Sequence, residues 1–210
     1  MPMINTMSGR RLPRRLVQLF LGLALYGLSI AALVLADLGL MPWDVLHQGL
    51  ARLVGWSLGT VIIVVGVVVL LAWIPLRERP GFGTIANALL VGAFVDLTML
   101  VLPDVDAWSL AVLLLVSGVL LNGLATALYI GSQFGRGPRD GLMTGIARRT
   151  GWSLRLVRTG LEVTVVVIGL LLGGALGAGT VLYALAIGPL AQHMLPWCTV
   201  DVSAPRGDQG

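Results

Sequence analysis

The sequence predicts an all-α polytopic membrane protein in which six transmembrane helices form two inverted three-helix repeats. Each repeat also carries a short interfacial or re-entrant helix. Three observations carry that prediction. Hydrophobic residues make up 57% of the 210-residue chain and charged residues 11%, against about 25% charged in a soluble domain. Residues 16–96 align with residues 112–192 without a gap, at an offset of 96. Each copy holds three apolar runs of spanning length, and an odd number of crossings turns the second copy upside down relative to the first.

The offset marks a duplication rather than shared composition. GLMPWDVLHQGLARLVGWSL at 39–58 returns as GRGPRDGLMTGIARRTGWSL at 135–154, and GFGTIANALLVG at 81–92 returns as GAGTVLYALAIG at 177–188. Composition alone would match Leu to Leu; here Gly, Pro, Asp and Trp match as well.

Residues 1–15 form a cytoplasmic N-terminal segment with Arg10, Arg11, Arg14 and Arg15. The first helix, 16–36, has the layout of a secretory signal, with Val34, Leu35 and Ala36 as a cleavage site. It aligns with 112–132 in mid-chain, where Gly22, Gly27, Leu28 and Ala31 match Gly118, Gly123, Leu124 and Ala127. A mid-chain segment cannot be a signal, so 16–36 is a retained helix. The second helix, 58–76, is stopped by Arg77, Glu78, Arg79 and Pro80, and the third, 82–102, by Pro103, Asp104 and Asp106. These complete repeat 1, residues 16–102. Repeat 2, residues 103–195, contributes 109–131, 156–175 and 178–195, with GGALGAG at 173–179 as a tight turn. A disordered cytoplasmic tail follows at 196–210.

Arginine placement orients the helices. All fourteen basic residues are arginine. With the N-terminus inside, the inner segments 1–15, 77–80, 132–155 and the tail hold most of them. The outer segments hold Arg52 beside Asp37, Asp44, Asp104 and Asp106. This positive-inside bias predicts a multi-pass protein of the bacterial cytoplasmic (inner) membrane with both termini cytoplasmic. The 39–58 motif then faces out and its twin at 135–154 faces in. The arginines read as topology signals, so the expected partners are the lipid bilayer and an unknown small solute, with no nucleic acid.

The repeated motif reads Gly-x-x-Pro-x-Asp, about ten residues of amphipathic helix, then Gly-Trp-Ser-Leu. A structural role accounts for much of it. Gly39 and Gly135 precede Pro42 and Pro138, which suit a first helical turn. Asp44 and Asp140 fall where a carboxylate meets the positive end of the helix. Gly55 and Gly151 end that helix, Ser57 and Ser153 cap the next, and Trp56 and Trp152 anchor at the membrane–water interface. The functional reading starts from having this constellation twice and inverted, since transporters of that build hold substrate between the repeats. Asp44 and Asp140 are then pathway candidates, and Arg139, present in the second copy alone, joins them.

Asp96 and Glu162 lie within predicted spans, where carboxylates are costly and become functional candidates. Glu162 has Arg158 four residues before it, which an ion pair along one helix face also explains. Tyr26, Asn87, Asn122, Tyr129, Tyr183, Gln192 and His193 serve equally as interhelical hydrogen-bond groups. His47 stands one turn past Asp44, opposite Met143 in the second copy. Rows such as Gly169, Gly173 and Gly177 permit close helix packing, within the chain or in a homodimer.

No HExxH, GxSxG, P-loop or CxxC is present, so the chain is expected not to be an enzyme. The single Cys198 and two distant histidines leave no metal site and imply no cofactor.

The twin Gly-x-x-Pro-x-Asp elements, above all GRGPRDGLMTGI at 135–146 followed by GWSL, resemble the YczE/YitT-like family of bacterial integral membrane proteins. The resemblance spans roughly 16–195. It implies a cytoplasmic-membrane protein with a transporter role and supplies no ligand. The first copy departs from the pattern, with Leu40, Met41 and Trp43 in place of Arg136, Gly137 and Arg139. The expected function is a small-solute transporter or facilitator with its pathway between the repeats. The alternative is a membrane binding or scaffold protein supporting another membrane system.

Overall fold

A computed structural model describes residues 11–103 and 105–201. These residues form eight helices and no strand. The helices are α1 (Leu12–Ala36), α2 (Pro42–Val54), α3 (Leu58–Leu76), α4 (Phe82–Val101), α5 (Trp108–Gly131), α6 (Pro138–Thr150), α7 (Leu154–Leu171) and α8 (Ala178–Cys198). Five of them, α1, α3, α4, α5 and α8, are long and apolar enough to cross a membrane. The expected sixth, α7, carries Arg155, Arg158 and Glu162 in its first half. Large apolar side chains cover the outside, with Leu100 84%, Leu171 82% and Leu185 72% exposed. A water-soluble monomer does not tolerate such a surface; this is a multi-pass membrane protein.

The motif helices form as their sequence directs. Pro42 and Pro138 occupy the first turns of α2 and α6. Gly55 and Gly151 close them in the left-handed region, at φ 71° and 75°. Ser57 accepts from the Thr60 backbone N–H at 3.2 Å and Ser153 from that of Leu156 at 3.3 Å, starting α3 and α7.

Packing repeats along with the sequence. α1 lies along α5; α1 also packs on α4, as α5 does on α8. The motif helices cross over: α2 packs against α7 of the other copy and α6 against α3. Individual bonds follow the same rule. Gly179 N–H donates to the Leu38 carbonyl at 2.8 Å, and Gly83 N–H to the Phe134 carbonyl at 3.0 Å. Gly39 (φ 119°) lies against Gly177, and its counterpart Gly135 (φ 131°) against Gly81 and Thr84. Both backbones come so close that a Cβ would collide.

Side-chain volume is exchanged across this arrangement. Gly141 of α6 receives the Trp73 ring from α3, and the Trp73 indole N–H donates to the Pro138 carbonyl at 3.0 Å. In the matching contact Gly169 of α7 receives the backbone of Val45 and Leu46 from α2. One copy places the bulk on the long helix, and the other leaves a glycine there.

Two boundaries differ from expectation. α1 begins at Leu12, inside the segment assigned to the cytoplasm, and Arg15 is 3% exposed. Its guanidinium donates to the Ser132 carbonyl at 2.9 Å and the Gln133 carbonyl at 3.0 Å, closing the end of α5. At the other end, 196–200 is packed rather than a disordered tail. α8 runs to Cys198, Gln18 donates to the Cys198 carbonyl, and buried Val200 donates its N–H to the Gly131 carbonyl at 3.0 Å. The remainder of the expected tail, 202–210, and residues 1–10 lie outside the described residues, as does Asp104.

Candidate functional site

With α2 packed on α7 and α6 on α3, a cavity of about 300 Å³ lies between the two copies. It is lined largely by residues that are counterparts at the 96-residue offset. Pro42 and Pro138, Trp43 and Arg139, His47 and Met143, Ile62 and Arg158, Gly66 and Glu162, and Asn87 and Tyr183 all contribute. Trp43 and Arg139 touch each other, with the guanidinium carbon 5.0 Å from the indole ring centre. Equivalent positions of two copies can meet in this way only where the copies face one another.

Counterpart positions do not carry equivalent chemistry. The arginine and carboxylate side chains lining the cavity, Arg139, Asp140, Arg158 and Glu162, all come from the second copy, and the first contributes the titratable His47. The first copy answers with Trp43, Ile62 and Gly66. Within the second copy Arg158 Nε and Glu162 Oε1 close an ion pair at 2.9 Å. Asp140 Oδ2 accepts from the Tyr129 hydroxyl at 3.0 Å.

Asp44 sits behind this lining, 1% exposed. Its Oδ1 is 2.8 Å from His47 Nδ1 and 3.7 Å from Arg139 Nη2. Burial pushes the His47 imidazole below its ordinary range, against the opposing pull of Asp44. A neutral ring donates from Nδ1 to the carboxylate, leaving Arg139 as the fixed cation facing it. No side-chain cap is made at the start of α2 or α6. The two motif carboxylates are turned to side-chain partners instead of the helix ends.

Of the five candidate pathway residues, Arg139, Asp140 and Glu162 line the cavity and Asp44 backs it. Asp96 is elsewhere. Its two oxygens accept from the Ser57 hydroxyl at 2.6 Å and the Gly59 backbone N–H at 2.8 Å, so it caps α3 from α4. Pro42 and Pro138 border the cavity, whereas Trp56 and Trp152 are 54% and 60% exposed at the far ends of the motif helices. A second polar cluster adjoins the cavity through Tyr183. Its hydroxyl donates to Asn122, and Asn122 donates to Ser29 at 2.7 Å, tying α8, α5 and α1 together.

Trp43 belongs to the site but reads in the sequence only as a departure between the copies. Its indole Nε1 is buried and makes no hydrogen bond. A partial signal for it exists: three positions where one copy is charged and its counterpart is apolar or small, 43/139, 62/158 and 66/162, fall on the cavity, whereas 53/149 and 59/155 do not.

Comparison with known proteins places the chain in a wider group. A family model described as a family of unknown function (DUF6198) matches residues 13–196. An uncharacterized protein of Haemophilus influenzae is 39% identical over 177 residues, covering 84% of this chain and 81% of that protein. The uncharacterized membrane protein YczE of Bacillus subtilis is 32% identical over 160 residues, covering 76% of this chain and 74% of its own length. The uncharacterized protein YyaS of the same organism is 26% identical over 180 residues, covering 84% and 90%. No solved structure matches the chain.

Proposed function

The chain belongs to the DUF6198 family, a family of unknown function, and from that premise we propose that it is a small-solute transporter or facilitator. The pathway runs through the cavity at the interface of two inverted repeats. The observation that carries the reading is the lining by counterpart residues. A pocket shared by two copies is the arrangement in which rocking one copy against the other opens it to either side. Its volume is that of a small-ligand site.

In this reading α7 is the sixth crossing. Its charges are tolerable because Arg158 and Glu162 pair with each other and border the cavity. Both termini and the 135–154 motif lie on the cytoplasmic side of the inner membrane, and the 39–58 motif lies outside.

Two measurements test the proposal. With Cys198→Ser as background, a single cysteine at Val54 should react with an impermeant maleimide in intact cells, and one at Thr150 only after the membrane is permeabilised. Labelling from the same face removes the inversion. Proteoliposomes screened by counterflow against pooled small metabolites should show uptake that Arg139→Gln and Glu162→Gln abolish. Uptake unaffected by both variants removes the cavity as the pathway. An absence of flux together with a partner that stays bound in mild detergent favours the scaffold alternative.

A further inference from the structure

We propose that the cavity takes an amino-acid-sized zwitterion, with its carboxylate on Trp43 Nε1 and Arg139 and its ammonium on Asp140. This rests on the transport reading for its purpose but not for its chemistry.

The indole is the first observation. Trp43 is 7% exposed, lines the cavity, and leaves its Nε1 without a hydrogen bond. A buried donor without an acceptor is costly, and in native proteins it calls for a missing partner. The partner must bring an oxygen acceptor.

Arg139 is the second observation. Its guanidinium is stacked on that same indole and lies 3.7 Å from Asp44, outside hydrogen-bond reach. It makes no hydrogen bond among the described residues. A planar fork of donors beside an unpartnered N–H is a receptor for a carboxylate, which an arginine binds with two parallel bonds.

The acid on the opposite count is Asp140. One of its oxygens accepts from Tyr129 and the other has no hydrogen-bond partner among the described residues. It adjoins Arg139 in sequence, and both border the same space. Arg158 and Glu162 are closed on each other and ask for nothing. Asp44, behind the wall, faces Arg139 with an opposite charge but makes no hydrogen bond to it. A bare anion would leave Asp140 unanswered, and a bare cation would leave the unbonded donors of Trp43 and Arg139 unanswered. A solute carrying both signs satisfies both. At about 30 Å³ per water, the 300 Å³ cavity holds roughly ten non-hydrogen atoms, the size of a single amino acid.

The test is direct binding to the full chain in mild detergent, followed by calorimetry and thermal shift. The probes are the twenty protein amino acids singly. For each binder, the matching carboxylate without its amine and the matching amine without its carboxylate are added. One or more zwitterions should bind, with both truncated probes at least ~10-fold weaker. Trp43→Phe should weaken binding ~10-fold, Arg139→Gln ~100-fold or more, and Arg139→Lys by an intermediate factor, because a point charge keeps the attraction and loses the fork. The unliganded melting temperature of each variant separates lost binding from lost fold.

The proposal is overturned if a truncated probe binds as well as its parent, if no amino acid binds, or if folded Trp43→Phe binds at full strength. Its fate is separable from that of transport. A truncated probe that binds and is moved by proteoliposomes sinks the zwitterion and keeps the transporter. A zwitterion that binds and is never moved does the reverse.

Discussion

α2 and α6 start with the same Pro-x-Asp and end with the same Gly-Trp-Ser, yet the two carboxylates occupy opposite situations. Asp44 is sealed behind the cavity wall, held by His47 on its own helix and faced by Arg139 from the other. Asp140 borders the cavity, with Tyr129 on one oxygen. The helices are framed identically, so the difference arises at the few positions where the copies diverged: Trp43 against Arg139, His47 against Met143, Val45 against Gly141. The shared residues build the turns and caps, and the divergent ones give the pocket its uneven chemistry. A duplicated membrane protein of this kind keeps its frame symmetric and makes its chemistry one-sided.

The comparison breaks most readily at the two carboxylates. Asp44→Ala leaves His47 without its acceptor and Arg139 without its facing charge, and should cost ~3–5 kcal/mol in stability. Asp140→Ala, in the half-buried cavity wall, should cost ~1–2 kcal/mol. Reversible unfolding in detergent ranks them, and equal losses would mean the two sites are alike after all. Next comes the exchanged bulk. Gly141→Ala pushes a methyl into the Trp73 ring and should cost ~1–3 kcal/mol. Trp73→Phe in the same chain should recover part of that loss, and a double variant no better than the sum of the singles would refute the exchange. At the caps, Ser57→Ala also strips Asp96 of a donor and should cost ~1–2 kcal/mol, against ~0.5–1 kcal/mol for Ser153→Ala. The smallest effect is functional. Asp96→Asn keeps an acceptor at the α3 cap and should leave solute uptake within about twofold of the parent, since even a whole cap is worth only ~1 kcal/mol; a larger fall would return Asp96 to the pathway.

Much of the frame is legible in the sequence because it is local or periodic. The ends of α2 and α6 follow from Pro42, Pro138, Gly55 and Gly151, and the starts of α3 and α7 from Ser57 and Ser153. The pocket is less so. That Trp43 stacks on Arg139 depends on two helices from different copies meeting at equivalent positions, and no spacing within either helix encodes it. Asp96 shows the opposite failure: a carboxylate inside an apolar run looks unpartnered, but its partners are on α3, 37 and 39 residues away. Arg15 repeats the lesson. As a basic residue before an apolar run it reads as a topology signal, whereas in the fold it closes the end of α5. Comparing the copies position by position recovers more than reading either alone, since 43/139, 62/158 and 66/162 diverge in charge and lie on the cavity.

The end of α5 has a consequence for the order in which the protein is made. Its last carbonyls are taken by Arg15 of α1 and by Val200, just past α8. Gly131 is translated about seventy residues before Val200 exists, an interval of roughly 4–14 s at ribosomal speed. Throughout that time one polar group at the tip of a central helix has no protein partner. The clasp therefore forms only once Val200 is made, and a chain stopped at Cys198 would carry all eight described helices but not the clasp.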